Sequence, residues 1–181
     1  MNNLSRIPLA PSVALSRSLG FTVVELLTAV AILAVLAALA FPTFSDAIER
    51  SRLKSAAEAI ASDLDLARLE TPKRNTDLVV SFRNGGSWCY GIHTGPCDCN
   101  EPGSCSIKSV TGSDIVKDVT MGSVAFGANR FTAFDRIRGT AAAGQVNLLS
   151  SASLDLRVVV STRGRVRICS PSNNVPGYPS C

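Results

Sequence analysis

Between Phe21 and Phe41 the chain carries a single charge, Glu25, and its only other polar side chains are Thr22 and Thr28. As a helix rising ~1.5 Å per residue the run is about 31 Å long, enough to cross the hydrocarbon core of a bilayer. No later stretch of the 181 residues is comparable, so one membrane segment is expected, near the N-terminus. Arg6 and Arg17 precede the run, whereas Asp46 and Glu49 follow it. The positive-inside rule keeps the leader in the cytoplasm and carries the body across the inner membrane.

Such a run has three readings. A secretory signal peptide would be cut after Ala38-Leu39-Ala40, an acceptable A-x-A site, and would release a soluble exported protein. A simple signal anchor accounts for the span. Neither explains Glu25, because a carboxylate inside the apolar run costs roughly 2.5–3.5 kcal/mol on insertion scales and is retained for a reason. The third reading uses every residue. Gly20-Phe21-Thr22-Val23-Val24-Glu25-Leu26 resembles the class III signal of type IV prepilins, and Pro42 falls where many of those helices carry a proline. The resemblance implies cleavage between Gly20 and Phe21 by a prepilin peptidase on the cytoplasmic side, followed by N-methylation of Phe21. It also implies assembly with other pilins or pseudopilins through the helix. Glu25 would meet the N-terminal amine of a neighbouring subunit, so that two charges in an apolar setting are paired.

Beyond Pro42, which is expected to bend or loosen a helix, the sequence stays helix-compatible. Ala47, Ile48, Leu53, Ala56, Ala57, Ile60, Leu64 and Ala67 recur at spacings of three and four, the stripe of an amphipathic helix ending at Thr71-Pro72. From Asp77 onward short β segments alternate with Gly, Asn and Ser clusters. Candidate strands are 77–82, 87–92, 123–126, 130–134, 146–149, 154–161 and 164–170, and Thr162-Arg163-Gly164 reads as a hairpin turn. The expected fold class is α+β: a long N-terminal helix, transmembrane over 21–42 and amphipathic over 43–72, packed on a small antiparallel β domain over 73–181.

A narrower resemblance lies near the C-terminus. Phe134-Asp135-Arg136-Ile137-Arg138-Gly139 is similar to the F-x-x-x-x-G block of the FimT/GspH branch of minor pilins and pseudopilins. Gly164-Arg165-Val166-Arg167-Ile168-Cys169, after a strand with a clean period of two, resembles the end of FimT-type members. The likeness covers about the first 50 and the last 50 residues, and the Cys-rich middle lies outside it.

Little in the sequence points to catalysis. His93 is the single histidine, in an apparent loop, and no P-loop, nucleophile elbow or paired carboxylates are visible. Six cysteines in an exported chain favour disulfides over a metal, since C-x-C-x5-C departs from the usual zinc spacing. Six cysteines allow 15 connectivities. Cys169–Cys181 is the expected bond for the C-terminal tail. Cys89, Cys97, Cys99 and Cys105 should staple the 89–105 loop, with Cys97 and Cys99 bonded elsewhere rather than to each other. No cofactor is expected.

Charge is unevenly placed. From Phe21 to Asn129 there are nine Lys/Arg against twelve Asp/Glu, whereas Arg130 to Cys181 holds seven Arg against Asp135 and Asp155. In an extended segment Arg165 and Arg167 share one face while Val166 and Ile168 point inward, Arg157 can join them from the partner strand, and Arg163 belongs to the face or to the turn. One reading is a solvated sheet face. The other is a phosphate-binding stripe, because guanidinium forks bind phosphate bidentately and stay charged. FimT-like proteins are associated with DNA binding in natural transformation through basic residues in this region, and the resemblance implies that role for Arg165 and Arg167. Backbone contacts predict non-specific, salt-sensitive binding. Tyr178 is the only aromatic residue after Phe134, which leaves little for base stacking. The function expected from the sequence is a minor, FimT-like pilin, acting in pilus assembly or initiation and binding DNA. The alternatives are a GspH-type pseudopilin of a type II secretion system and a soluble exported disulfide-rich binding protein.

Overall fold

The computed structural model describes residues 20–181, with the side chains of 39–43 excepted. The leader over 1–19, with Arg6 and Arg17, lies outside the described residues, as do the side chains of Leu39 and Ala40 in the alternative cleavage site and of Pro42. The chain divides into two units, Met1–Phe41 and Pro42–Cys181. One helix, α1 (Val23–Arg74), contributes to both.

In the first unit Thr22 is the N-cap of α1. Its Oγ1 accepts a hydrogen bond from the Glu25 N–H at 3.2 Å, satisfying one of the donors left free in the first helical turn. Thr22-Val23-Val24-Glu25 is thus a T-x-x-E capping sequence, and it places the carboxylate in the first turn, where the helix dipole favours negative charge. From Phe21 to Leu36 every large apolar side chain is more than half exposed, Phe21 at 79% and Leu36 at 57%. Among the described residues no helix is long and apolar enough to cross a membrane. The described side chains of the apolar run stop at Ala38.

In the second unit α1 buries a ridge of Leu53, Ala56, Ala57, Ile60, Leu64 and Ala67, each 1% exposed or less. Burying a Leu or Ile side chain of this kind stabilises by about 1.5–3 kcal/mol. The ridge begins later than the sequence pattern implies. Ala47 and Ile48 are exposed, and at this level α1 instead offers Glu49, whose carboxylate accepts hydrogen bonds from the Ser151 hydroxyl and the Ala152 N–H. The helix also ends later, at Arg74 rather than Pro72. Pro72 sits in the last turn, where only one intrahelical bond is lost. Asn75 then takes a left-handed φ of 50°, and the Asn75 and Thr76 N–H groups bond back to the Pro72 and Thr71 carbonyls. That is a Schellman ending with Asn in the place usually held by Gly.

The β domain has two antiparallel sheets. In the first the strand order is β3 (Lys108–Thr111), β2 (Cys89–His93), β1 (Leu78–Arg83), β5 (Phe131–Phe134). In the second it is β4 (Val119–Ala125), β6 (Gly144–Ser150), β7 (Asp155–Val160), β8 (Val166–Cys169). Seven of these correspond to the strands expected from sequence. The eighth, β3, was not foreseen because its four residues Lys-Ser-Val-Thr carry one strongly apolar side chain. Strand β4 starts earlier than expected, at Val119, and runs through Gly122 across a register shift between Met121 and Val124. A short helix, α2 (Gly112–Ile115), links β3 to β4. Both sheets share one core with the helix ridge, in which Trp88, Tyr90, Phe134, Met121 and Leu148 are fully buried.

Polar contacts fix the helix on the sheets. Asp63 is buried and accepts two 2.6 Å hydrogen bonds, from the Tyr90 hydroxyl and the Lys108 ammonium. Burial, with the Asp63 carboxylate beside it, pushes the Tyr90 hydroxyl well above the ordinary tyrosine pKa. At the C-terminus the tail closed by the Cys169–Cys181 disulfide lies against the same helix. Val175 is buried, the Tyr178 hydroxyl donates to Glu58 Oε1 at 2.6 Å, and Lys54 Nζ stands 5.5 Å from the Tyr178 ring centre. Burial first, and then the bond to Glu58, push the Tyr178 pKa up to about 12. The folded state therefore prefers the neutral phenol. Its contribution is complete below pH ~10, the unfolded value, and is lost as pH rises from there through about 12. Replacement of Tyr178 by Phe should lower stability by about 1 kcal/mol at pH 7. Thermal unfolding between pH 9 and about 12 should then show a shallower alkaline decline in the variant than in the parent.

Candidate functional site

Sheet register decides which arginines meet. In β7, Leu156, Val158 and Val160 face the core, so Arg157 and Val159 face out. Val159 pairs with Arg167 and Val160 with Val166, which places Arg165 and Arg167 on that same outer face. Arg157 also lies on it but is half-buried, and its Nε donates to Asn147 Oδ1 at 2.6 Å. It is the least available of the set. Arg163 is not on the face. It sits in the turn Thr162–Gly164 and is exposed. An open recess of about 410 Å³ runs beside the pair, lined by Val159, Ser161, Arg165, Val166 and Arg167. Among the described residues neither Arg165 nor Arg167 belongs to an ion pair.

The turn that carries Arg163 is tightly specified. The Gly164 N–H donates to the Ser161 carbonyl, the Ser161 N–H to the Arg165 carbonyl, and the Arg165 N–H to Ser161 Oγ. Gly164 has φ +71°, and a Cβ there would lie 2.6 Å from the Gly139 carbonyl oxygen. The two C-terminal sequence blocks therefore touch at their glycines. Asp135 shapes the first block, since its Oδ1 accepts the Ile137 and Arg138 N–H groups at 2.9 and 2.6 Å. The Arg138 N–H is the main reason that the Asp135 pKa lies below the usual carboxylate value.

The cysteines form Cys89–Cys99, Cys97–Cys105 and Cys169–Cys181. The first two fold the 94–107 loop onto the outer face of the first sheet. There the Cys97 N–H donates to Ser81 Oγ at 3.1 Å, and a Cβ on Gly91 would collide with the Cys105 sulfur. Closing loops of this size stabilises by about 3 kcal/mol in the chain-entropy model. His93 is bonded to Ser106 Oγ at 2.7 Å. Among the described residues no group of His, Cys, Asp and Glu is arranged to hold a metal ion.

Around the processing motif the structure describes Gly20, Phe21 and Glu25, with Gly20 and Phe21 exposed ahead of the first helical turn and Glu25 inside it. Thr22 belongs to this site as the helix cap, and Thr three places before Glu at a helix start is a legible cap signal.

The family model described as type II transport protein GspH matches residues 56–174, and the prokaryotic N-terminal methylation motif matches residues 15–41. The chain belongs to the GspH family of type IV pilin-like proteins. Its role is accordingly that of a pilin-like or pseudopilin subunit, a kind of protein that associates with other pilins or pseudopilins. Among solved structures it is similar to the minor pseudopilin EpsH of the type 2 secretion system of Vibrio cholerae. That match has 13% identity and a TM-score of 0.47, and covers 67% of this chain and 99% of that one. No curated protein matches the chain.

The contact between the two glycines makes a direct prediction. Gly164→Ala should destabilise the domain by about 1–3 kcal/mol, through both the left-handed φ and the Gly139 carbonyl. Thermal unfolding followed by the near-ultraviolet signal of Trp88 measures it, and Gly95→Ala, where an added Cβ meets nothing within 4 Å, serves as the control.

Proposed function

We propose that this chain is the precursor of a minor, FimT-like pilin, held in the inner membrane by the apolar half of α1 and carrying its β domain in the periplasm. After cleavage between Gly20 and Phe21 by prepilin peptidase and N-methylation of Phe21, the helix inserts into a pilus, where Glu25 pairs with a neighbour's terminal amine. The observation that carries this reading is the helix surface itself. Apolar side chains from Phe21 to Leu36 stand exposed around a single carboxylate, and such a surface requires lipid or other apolar helices to cover it. In sequence the run continues to Phe41, which gives it the length to span. The reading assigns no catalysis to the chain.

To this we add DNA as a ligand, bound without sequence preference for uptake by natural transformation, through Arg165 and Arg167 on the outer face of β8. Their support is exposure and the absence of an acidic partner among the described residues. A second reading, a pseudopilin of a type II secretion system, is favoured by the description of the matching family. Both readings use the helix in the same way and differ in whether the arginine face is used.

Intact mass of the processed protein should give a chain beginning at N-methylated Phe21, and Glu25→Ala should be processed equally yet be missing from the sheared filament fraction. Recovery of that variant in filaments at the parental level would remove the pairing role of Glu25, and a chain starting at Phe41 would remove the anchor altogether. For the arginine face, the detergent-solubilised chain should bind unrelated duplexes equally, with affinity falling steeply from 50 to 200 mM salt. Arg165→Ala with Arg167→Ala should weaken binding and flatten the log–log salt slope by up to about 1.8, at ~0.9 per lost phosphate contact. An unchanged anisotropy titration would favour the secretion reading.

A further inference from the structure

The hairpin tip between β7 and β8 is a meeting point of three segments distant in sequence. At Gly164 an added Cβ would lie 2.6 Å from the Gly139 carbonyl oxygen and 3.3 Å from Nε of Arg68, on α1. The Ala141 N–H donates to the Thr162 carbonyl at 3.0 Å, locking the β5–β6 connection against the tip. Arg138 precedes Gly139, and Arg163 and Arg165 flank Gly164. Four guanidinium-bearing residues from three segments are thereby gathered at one end of the domain, and Arg167 continues the series along β8.

Like charges brought together repel unless acids neutralise them, and of the acids near this end Asp135, Asp77 and Glu70 are engaged elsewhere. Asp135 accepts two backbone N–H groups of its own turn. Asp77 accepts the Arg136 N–H at 2.9 Å and faces its guanidinium at 3.8 Å. Glu70 is held by Lys73 and Arg74, each at 3.1 Å. Asp65, three residues before Arg68 on the helix, is exposed and makes no ion pair with it. Among the described residues Arg68, Arg138, Arg163, Arg165 and Arg167 all lack an ionic partner.

We infer that Arg68 and Arg138 extend the β8 arginine face around the hairpin tip, making one continuous tract for the phosphate backbone of a polynucleotide. The inference rests on the DNA-binding reading and deepens it. From Arg165 to Arg167 the extended chain covers about 7 Å at ~3.3 Å per residue, and the hairpin turn with Arg163, the helix and the β5–β6 turn add cation beyond its end. Phosphates on one strand of a duplex recur about every 3.4 Å of helix axis, so a tract built from three segments meets more than one of them, and a single phosphate ion fills only a fraction of it. An arginine fork suits each phosphate and needs no base contact. Arg130 lies at the opposite end of β5 from this turn, lining a different recess with Arg83, and is outside the tract.

The test is a salt titration of duplex binding by the detergent-solubilised full chain, with three variants beside the parent. Arg68→Gln with Arg138→Gln keeps most of each side-chain stem and removes the charge. It should lower affinity and flatten the log–log slope by up to about 1.8. Arg68→Lys with Arg138→Lys should retain the slope, which separates charge from packing at Gly164, and Arg130→Gln should leave it unchanged. A slope equal to the parent's in the double Gln variant, while Arg165→Ala with Arg167→Ala still loses binding, would overturn the extension and leave the β8 reading standing. A parent chain that binds no DNA overturns both. So does equal affinity for polyglutamate of matched charge, which would assign the cluster to an acidic protein. Loss with Arg130→Gln as large as with the double Gln variant would overturn the tract in favour of diffuse charge.

Discussion

The ridge from Leu53 to Ala67 is the surface on which both sheets close. Neither four-stranded sheet buries its inner face alone, and the helix supplies the shared apolar partner through small and branched residues at three- and four-residue spacing. Ala56, Ala57 and Ala67 share this core with the large side chains of Trp88, Tyr90 and Phe134. Asp63 is the one buried carboxylate in this interface, and its two short hydrogen bonds give the packing a fixed register where apolar contact alone would tolerate sliding.

Where the helix does not reach, covalent links take over. The outer face of the first sheet would otherwise expose Val79, Ser81 and Gly91. The 94–107 loop covers it, held by two disulfides rather than by apolar content of its own. Gly91 is required because a cystine sits where its side chain would be. The C-terminal tail is treated similarly, closed by Cys169–Cys181 and docked on α1 through Val175 and Tyr178. An oxidising compartment is therefore a condition of this fold. On the outer face of the second sheet Arg157 is half-buried against Asn147, whereas Arg165 and Arg167 are exposed.

Along α1 one element meets two environments. From Phe21 to Leu36 it displays exposed apolar side chains. Its second half is amphipathic and finds its partner within the domain. That contrast is visible residue by residue, since Leu36 is exposed and Leu53 is not.

Several features follow from the sequence with no structure at all. The length and apolarity of 21–41 and the lone Glu25 are legible there, within the stretch that matches the N-terminal methylation motif. The period of two in 154–160 separates core from outer face, and with it the common face of Arg165 and Arg167. Tertiary structure decided whatever depends on contacts between distant segments. The ridge starts at Leu53 because one turn earlier the helix meets the polar Ser150–Ala152 segment, which takes Glu49 in place of an apolar side chain. Strand β3 exists because β2 offers an edge, not because Lys-Ser-Val-Thr asks for one. The pairing of Cys89 with Cys99 and Cys97 with Cys105 was one option among many until the loop folded over Gly91. Arg68 joined the C-terminal arginines only when Gly139 and Gly164 met, a proximity that no periodicity records, since sequence spacing fixes which face a residue takes but not which other segment that face will meet.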